Sequence, residues 1–275
     1  MSTIMGISSQ VDPQDIFDGS LITLGIVQES LDLLTHAKNI VESAFGMPID
    51  EIEATPGDNT ADFISKAHAV KTGFTDGAET QELTKKLIAA RYAKDLLPYM
   101  IYDKPRIRII PNSKFLNTGV SYNYKPHRDT WYNGGVQEQI NHWMPLCNVT
   151  KDSGFFMAPG YYNVPIDNNS EIFDLDTWDQ KFRKKAVEMT TAEERPHPVP
   201  MGNISKEERF LVMIPYGDEI VFSAHHFHGS GENTTNKVRF SVDYRTIVQL
   251  DSYHYPPNID CKSTGNLKKY MFPVV

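Results

Sequence analysis

Positive charge is in short supply. Twenty-seven Lys and Arg stand against 35 Asp and Glu, which gives a formal net charge of -8. Nucleic-acid binding relies on clustered cations, so the sequence points away from a nucleic-acid partner. It leaves an acidic small molecule open, because one buried Arg can hold one. Cysteine is scarce as well. Cys147 and Cys261 are far apart and fit no CxxC spacing, and a disulfide framework would need more of them. No run approaches eighteen apolar residues, so no membrane span is expected. The opening residues, MSTIMGISSQVDPQ, lack a basic stretch followed by an apolar core. These absences lead to the expectation of a cytoplasmic protein in a reducing compartment.

What is present suits one folded unit. The chain has 275 residues, of which 40% are hydrophobic and 23% charged. That is enough for one well-buried core, and the charged share argues against disorder. We read residues 1–275 as a single domain with a helical part (1–104), a β core (105–250) and a C-terminal tail (251–275). In the helical part, residues 30–46 show an apolar stripe at Leu31, Leu33, Leu34, Ala37, Ile40 and Val41, opened by a Ser cap and closed by Gly46. A second helix is expected over 80–97, stopping at Pro98, and the stretch around EATPGDNTADF reads as loop at first.

After Pro105 the texture changes. RIRII, SYNYKPHRD, QEQINHWMPL, GFFMAPGYY, EIVFSAHHFHGS and VRFSVDYRTIV are short, rich in β-branched and aromatic residues, and separated by Gly, Pro, Asn and Asp. This is the strand pattern of an all-β sandwich or barrel. Residues 163–210 interrupt it with a polar, Pro-containing insertion, and insertions of this length commonly act as lids. In the last strand Val238, Phe240, Val242 and Tyr244 share one face, and Arg239, Ser241, Asp243 and Arg245 share the other. The polar face meets either bulk water or a polar cavity.

HRDTWYN, from residue 127 to residue 133, carries the first chemical signal. His127 and Asp129 stand two apart, so an extended strand would point both to one side. A histidine and a carboxylate on one side are two thirds of a common metal site. The third ligand would come from His225, His226 or His228 in SAHHFHGSGEN. Arg239 lies eleven residues after His228, beyond the turn GSGENTTNK. An adjacent strand would bring its guanidinium near a metal held by His228. Arg is suited to gripping a carboxylate through two parallel hydrogen bonds. Two His and one Asp leave three coordination positions on one face, room for a 2-oxo acid and dioxygen.

HRD at 127–129, QINHWMPL, SGFFMAPG and GDEIVFSAHHFHGSGENTTNKVRFSVDYR together resemble the phytanoyl-CoA dioxygenase-like branch of the Fe(II)/2-oxoglutarate oxygenases. The resemblance spans roughly residues 106–248. It implies a mainly β fold with N-terminal helices, a double-stranded β-helix or cupin-like jelly-roll barrel, with the metal at its mouth. It implies His127, Asp129 and His228 as the Fe(II) ligands. His226 is the rival distal ligand, but it would lengthen the interval to Arg239 to thirteen residues. Arg239 would bind the distal carboxylate of 2-oxoglutarate, helped by Ser230, with Trp143 beside the co-substrate. It also turns the Arg239 face of the last strand into the cavity.

The activity implied is oxidation of a substrate by dioxygen, with 2-oxoglutarate converted to succinate and carbon dioxide. Asp129 occupies the position a halide would need, so a hydroxylase is expected rather than a halogenase. Arg128, Tyr132, Asn141 and Arg245 are the candidate substrate contacts. Nothing resembles a CoA-binding basic patch, so a small free metabolite or natural-product intermediate is expected. Two other readings remain: a cupin-type metalloenzyme that does not use 2-oxoglutarate, which has no need of Arg239, and a non-catalytic jelly-roll binding protein.

Overall fold

The computed structural model describes residues 4–116, 121–182, 195–202, 204–205 and 207–275. In chain order the elements are β1 (Ile4–Ser8), α1 (Pro13–Phe17), β2 (Leu21–Leu24), α2 (Gln28–Phe45), α3 (Thr60–Thr75), α4 (Ala78–Arg91), β3 (Met100–Tyr102) and β4 (Arg106–Ile110). Then come α5 (Thr130–Asn133), β5 (Gln139–Pro145), β6 (Phe155–Met157), α6 (Leu175–Thr177), β7 (Phe210–Val212), β8 (Glu219–Ser223), β9 (His228–Ser230), β10 (Arg239–Val248) and β11 (Phe272–Pro273).

The strands form an eight-stranded sheet, ordered β1-β2-β8-β5-β10-β3-β11 with β4 also on β10, and a three-stranded sheet, β7-β6-β9. Every pairing between strands is antiparallel except β1 with β2. An apolar cluster joins the two sheets: Leu21, Trp143, Ile220 and Phe222 from the large one meet Phe155, Met157 and Val212 from the small one. The expected two-layer β arrangement with helices is therefore present.

β10 explains how the layers divide. Phe240, Val242 and Tyr244 are fully buried, with Ile107, Ile109, Ile140 and Met144, against the helices. Leu33, Leu34, Ala37 and Val41 of α2 and Phe63, Ala67 and Val70 of α3 supply the other side of that core. The ring of Phe45 meets that of Phe240 edge-on at 6.0 Å. Arg239, Ser241, Asp243 and Arg245 take the opposite face, because strand side chains alternate.

The helical part differs from the sequence reading in four ways. β1, β2 and β3 lie within residues 1–104 and extend the large sheet. α2 starts two residues before Ser30, whose buried hydroxyl accepts from the Val27 amide at 3.2 Å and donates to the Val27 carbonyl at 2.8 Å; Gly46 closes the helix in the left-handed region. α3 follows the loop read around EATPGDNTADF, in a stretch where no helix was assigned. Asn59 caps it by accepting from the Asp62 amide, and its buried stripe runs Phe63, Ile64, Ala67, Val70, Phe74. α4 ends at Arg91, six residues before the expected stop, because the fully buried Arg91 turns inward to Glu219 at 2.9 Å. Glu219 also takes hydrogen bonds from His142 at 2.6 Å and Tyr244 at 2.8 Å. A buried ion pair is tolerable only when its remaining lone pairs are satisfied in this way. The network ties β5, β8 and β10 together behind the polar face.

Among the described residues no helix is long and apolar enough to cross a membrane. Of the 163–210 insertion, residues 183–194, 203 and 206 lie outside the described residues. The tail does not hang free: β11 pairs with β3, and Asp260 accepts from Arg128, Trp131 and the Ile166 amide.

Candidate metal centre and co-substrate cavity

His127 and Asp129 do converge, but not by strand alternation. His127 exchanges two backbone hydrogen bonds with His228, at 2.7 and 2.9 Å, in an isolated bridge. Asp129 has helical backbone angles (φ -66°, ψ -24°) and caps α5. The chain thus turns out of the bridge into a short helix, and the turn swings the carboxylate back towards His127. α5 stops at once at Gly134, whose φ of +77° suits only glycine and whose Cβ position would lie 2.0 Å from the Gly265 carbonyl oxygen.

One potential ligand atom from each of His127, Asp129 and His228 lies within 4.8 Å of the others, and all three residues are buried. His127 Nδ1 donates to the Lys125 carbonyl at 2.7 Å, and His228 Nδ1 to the His226 carbonyl at 3.0 Å. A carbonyl can only accept, so in each neutral ring the proton sits on Nδ1 and Nε2 presents a lone pair. Those Nε2 atoms stand 3.2 Å (His127) and 3.9 Å (His228) from Asp129 Oδ1. Burial, together with the neighbouring His127, pushes the His228 pKa down to about 4. Burial alone would raise the Asp129 carboxyl, but the Arg245 charge holds it well below the usual range. Two Nε2 lone pairs and a carboxylate oxygen converging at these distances call for a cation. Asp129 Oδ2, meanwhile, accepts from Gln139 Nε2 at 3.1 Å and lies 3.6 Å from Arg245 Nε. One carboxylate oxygen is held outward, and the other is left for the centre.

The cluster opens into a cavity of about 320 Å³. Arg239, Ser230, Trp143, Tyr132, Asn141 and Arg245 all line it. Arg239 arrives by a different route from the one expected. β9 pairs with β6, whereas β10 pairs with β3, β4 and β5, so Arg239 reaches across from the opposite sheet. It is 4% exposed, donates Nη1 to the Ser153 carbonyl at 3.2 Å, and leaves Nε without a partner. Among the described residues no carboxylate pairs with it, and burial lowers its pKa to about 10. Trp143 packs against Phe155, with ring centroids 4.7 Å apart. Tyr132 sets its ring 5.1 Å from that of His127. Asn141 Oδ1 accepts from Gln139 at 2.7 Å, which leaves the buried Nδ2 donor unpaired.

Arg128 is not brought to the cavity. It is fully buried and donates to Asp260, to the carbonyls of Tyr161 and Val164, and through a short contact to that of His225. It ties the tail to the sheets, since adjacent positions in HRD point different ways. His225 and His226 also lie outside the cluster. His225 Nδ1 bonds Gln137 at 3.0 Å, and His226 Nε2 donates to the Gly19 carbonyl at 3.2 Å.

The sequence reading missed Gln139, Asp103, Arg106 and Arg108. The signal was there for three of them: RIRII alternates, and pairing it with β10 places Arg106 opposite Asp243 and Arg108 opposite Ser241. Gln139 stands two before Asn141 on the same strand, so it shares its face.

No protein-family model matches the chain, and no curated protein matches it. Solved structures similar to it include EvdO2 from Micromonospora carbonacea var. aurantiaca complexed with 2-oxoglutarate, at 12% identity over 92% of this chain and 97% of that one, with a TM-score of 0.45. The non-heme alpha ketoglutarate dependent epimerase SnoN from nogalamycin biosynthesis shows 14% identity over 82% and 78%, with a TM-score of 0.39. EctD from S. alaskensis with bound Fe shows 13% over 90% and 84%, also at 0.39. These are distant likenesses.

Proposed function

We propose that this chain is a non-haem Fe(II)/2-oxoglutarate-dependent oxygenase built on a double-stranded β-helix. The observation that carries the reading is Arg239: a buried guanidinium with no carboxylate partner among the described residues, in the same cavity as a His-Asp-His cluster. A buried charge is costly unless paired, so this one suits an anionic ligand.

The donor set fits the metal. His127, His228 and one oxygen of Asp129 would hold Fe(II). When bound, Fe(II) with 2-oxoglutarate and dioxygen supplies the oxidising chemistry and releases succinate and carbon dioxide. The chain's own side chains do the rest. Arg239 grips the distal carboxylate of 2-oxoglutarate, and the Ser230 hydroxyl lies in the same cavity to assist. Trp143 and Phe155 cover the apolar part of that molecule and exclude water. Gln139 and Arg245 keep Asp129 from rotating. Because Asp129 fills the third protein position, hydroxylation of a small metabolite or natural-product intermediate is favoured over halogenation. The 163–210 segment serves as the lid, and the protein works in the cytoplasm on a small molecule, without nucleic acid or membrane. A cupin-type metalloenzyme with no 2-oxo acid leaves Arg239 without a role.

Two measurements test this. Anaerobic Fe(II) protein titrated with 2-oxoglutarate should develop a metal-to-ligand absorption band, and under air it should release succinate slowly even before a substrate is found. His228→Ala should lose iron while His226→Ala keeps it. No band and no succinate from wild-type protein would remove the reading.

A further inference from the structure

The cavity has different chemistry on the two sides of the metal cluster. On the His228 side, the Phe222 ring lies 5.0 Å from that of His228 and packs with Trp143 and Phe155. Arg239 belongs to this side, since it donates to the carbonyl of Ser153, two residues before Phe155. On the His127 side, the Tyr132 ring lies 5.1 Å from that of His127, the Phe173 ring 5.1 Å from that of Tyr132, and the Trp178 ring 5.1 Å from that of Phe173. Phe173 packs with Ile247, which pairs with Gln139 at the end of β10 furthest from Arg239. A wall of rings takes an apolar, ring-bearing skeleton.

Asn141 stands two residues from Gln139 on the same face of β5, opposite Arg245 of β10, and lines the cavity at 5% exposure. A chain of hydrogen bonds that begins on the backbone fixes the sense of its amide. The Val136 N–H can only donate, so Asn133 turns Oδ1 to it at 2.8 Å. Asn133 Nδ2 then donates to the Val136 carbonyl and to Gln139 Oε1, both at 2.9 Å. Gln139 Nε2 donates in turn to the Asp129 carboxylate at 3.1 Å and to Asn141 Oδ1 at 2.7 Å. Turning the Asn141 amide over would set donor against donor. Asn141 therefore keeps Nδ2 as its spare group, and among the described residues nothing accepts from it.

Two other buried polar atoms of the cavity residues lack a partner among the described residues, Arg239 Nε and Ser121 Oγ. The first has the co-substrate, and the second, a hydroxyl, can turn to donate or accept. Asn141 Nδ2 differs in being locked as a donor. A buried donor left unmade is costly, and one held in place is ready for an acceptor that a ligand brings. In the oxygenase reading 2-oxoglutarate has its distal carboxylate on Arg239 and its other end on the metal. The donor of Asn141 is left for the remaining occupant.

We propose that Asn141 is a specificity-determining residue for the primary substrate, a molecule with an apolar ring skeleton whose carbonyl or hydroxyl oxygen accepts from Asn141 Nδ2 while the rings lie against Tyr132, Phe173 and Trp178. The proposal rests on the oxygenase reading only in giving Arg239 and the metal to the co-substrate. A site built around a hydrogen bond rejects the analogue that lacks the matching group, so the oxygen, not the ring alone, selects the substrate.

The test uses probes that share a skeleton: tetralin, 1-tetralone and 1-tetralol. Each is titrated calorimetrically into the anaerobic protein, with and without Fe(II) and 2-oxoglutarate. The affinity of the ketone or the alcohol relative to tetralin should be about five- to tenfold higher in wild-type protein than in Asn141→Leu, the worth of one hydrogen bond. Taking the ratio cancels any general loosening of the site, because both probes meet the same variant. The probe with the larger ratio identifies carbonyl or hydroxyl as the acceptor. Asn141→Asp keeps the shape and the Gln139 contact but replaces the donor by an acceptor. It should lose the ketone preference as well, and it carries the test if Asn141→Leu does not fold. Equal ratios in wild type and variants, or no binding of either oxygenated probe, overturns the proposal. So does a weakened 2-oxoglutarate affinity in Asn141→Leu with the ratio unmoved, which would give the donor to the co-substrate. Normal 2-oxoglutarate binding without the probe effect defeats this inference and spares the oxygenase reading. The probe effect in a protein that does not bind 2-oxoglutarate does the reverse.

Discussion

Arg239 and Arg245 stand on the same face of the same strand, both inside the molecule, and their surroundings are opposite. Arg245 has Asp103 at 3.2 Å, Asp129 at 3.6 Å and Asp243 at 3.8 Å. Arg239 has one backbone carbonyl and an unpaired Nε. Burial disfavours the charge of both. At Arg245 the three carboxylates override burial and raise the pKa, whereas at Arg239 nothing does and it falls to about 10. The difference teaches how to sort arginines in a site. One whose charge is already answered by the protein positions other groups. One whose charge is unanswered is built for a ligand.

The strongest way to break this comparison is to remove the unanswered charge. Arg239→Ala should weaken 2-oxoglutarate binding by about two to three orders of magnitude, from about 3–5 kcal/mol for a broken buried pair at about 1.4 kcal/mol per tenfold. Iron binding should stay intact, and Arg239→Lys should recover only part of the loss, since an ammonium cannot make the forked contact. Anaerobic absorption titration reads both, and an unchanged dissociation constant in Arg239→Ala would erase the distinction.

Removing the answered charge should act elsewhere. Arg245→Met leaves the outer oxygen of Asp129 to Gln139 alone, so metal affinity should fall about 10–100-fold, the range for partners that orient a ligand. Metal titration against a competing chelator reads it. If instead metal affinity holds and only 2-oxoglutarate binding drops, the two arginines have been assigned the wrong way round.

A third probe asks whether desolvation acts alike away from the strand. Burial, with the nearby Arg128, lowers the His225 pKa from 6.5 to about 4. The unfolded chain takes up a proton below about pH 6.5, which the folded chain refuses until about pH 4. The stability His225 contributes is therefore full above pH 6.5 and is lost as the pH falls through that window, at up to about 1.4 kcal/mol per pH unit. Urea midpoints between pH 4.5 and 7.5 should show the loss, and His225→Gln should reduce its slope by one histidine's share, His226 and His228 supplying the rest. A slope unaffected by the substitution would place the titration on another group.

The smallest effect is expected at Ser230. Ser230→Ala removes one neutral hydroxyl from the cavity lining, so 2-oxoglutarate affinity should drop only about fivefold. A loss matching that of Arg239→Ala would mean the hydroxyl, not the guanidinium, holds the carboxylate.

Much of this site could be read from spacing. The alternation in VRFSVDYRTIV placed Arg239, Asp243 and Arg245 on one face, and the structure puts that face in the cavity. His127 and Asp129 could be named from residue type and spacing, while His228 was preferred to His226 only through the family resemblance. What misled was the path between them. Asp129 was read on a strand and sits on a helix cap, and Arg128 was read as a substrate contact and is locked to Asp260, 132 residues away. The β strands at the start of the chain were hidden as well, because short strands next to strong helical stripes carry little periodic signal.

The sequence by itself determined the composition of each face: period-two alternation and side-chain chemistry are local properties, and they survive whatever the chain does next. The tertiary structure alone decided which charges are answered. Whether an arginine meets a carboxylate depends on contacts between distant segments, as with Asp103 and Arg245 or Arg91 and Glu219. Burial then sets what an unmet charge costs, and so turns Arg239 into a candidate anion-binding group while leaving Arg245, on the same strand face, as a support for Asp129.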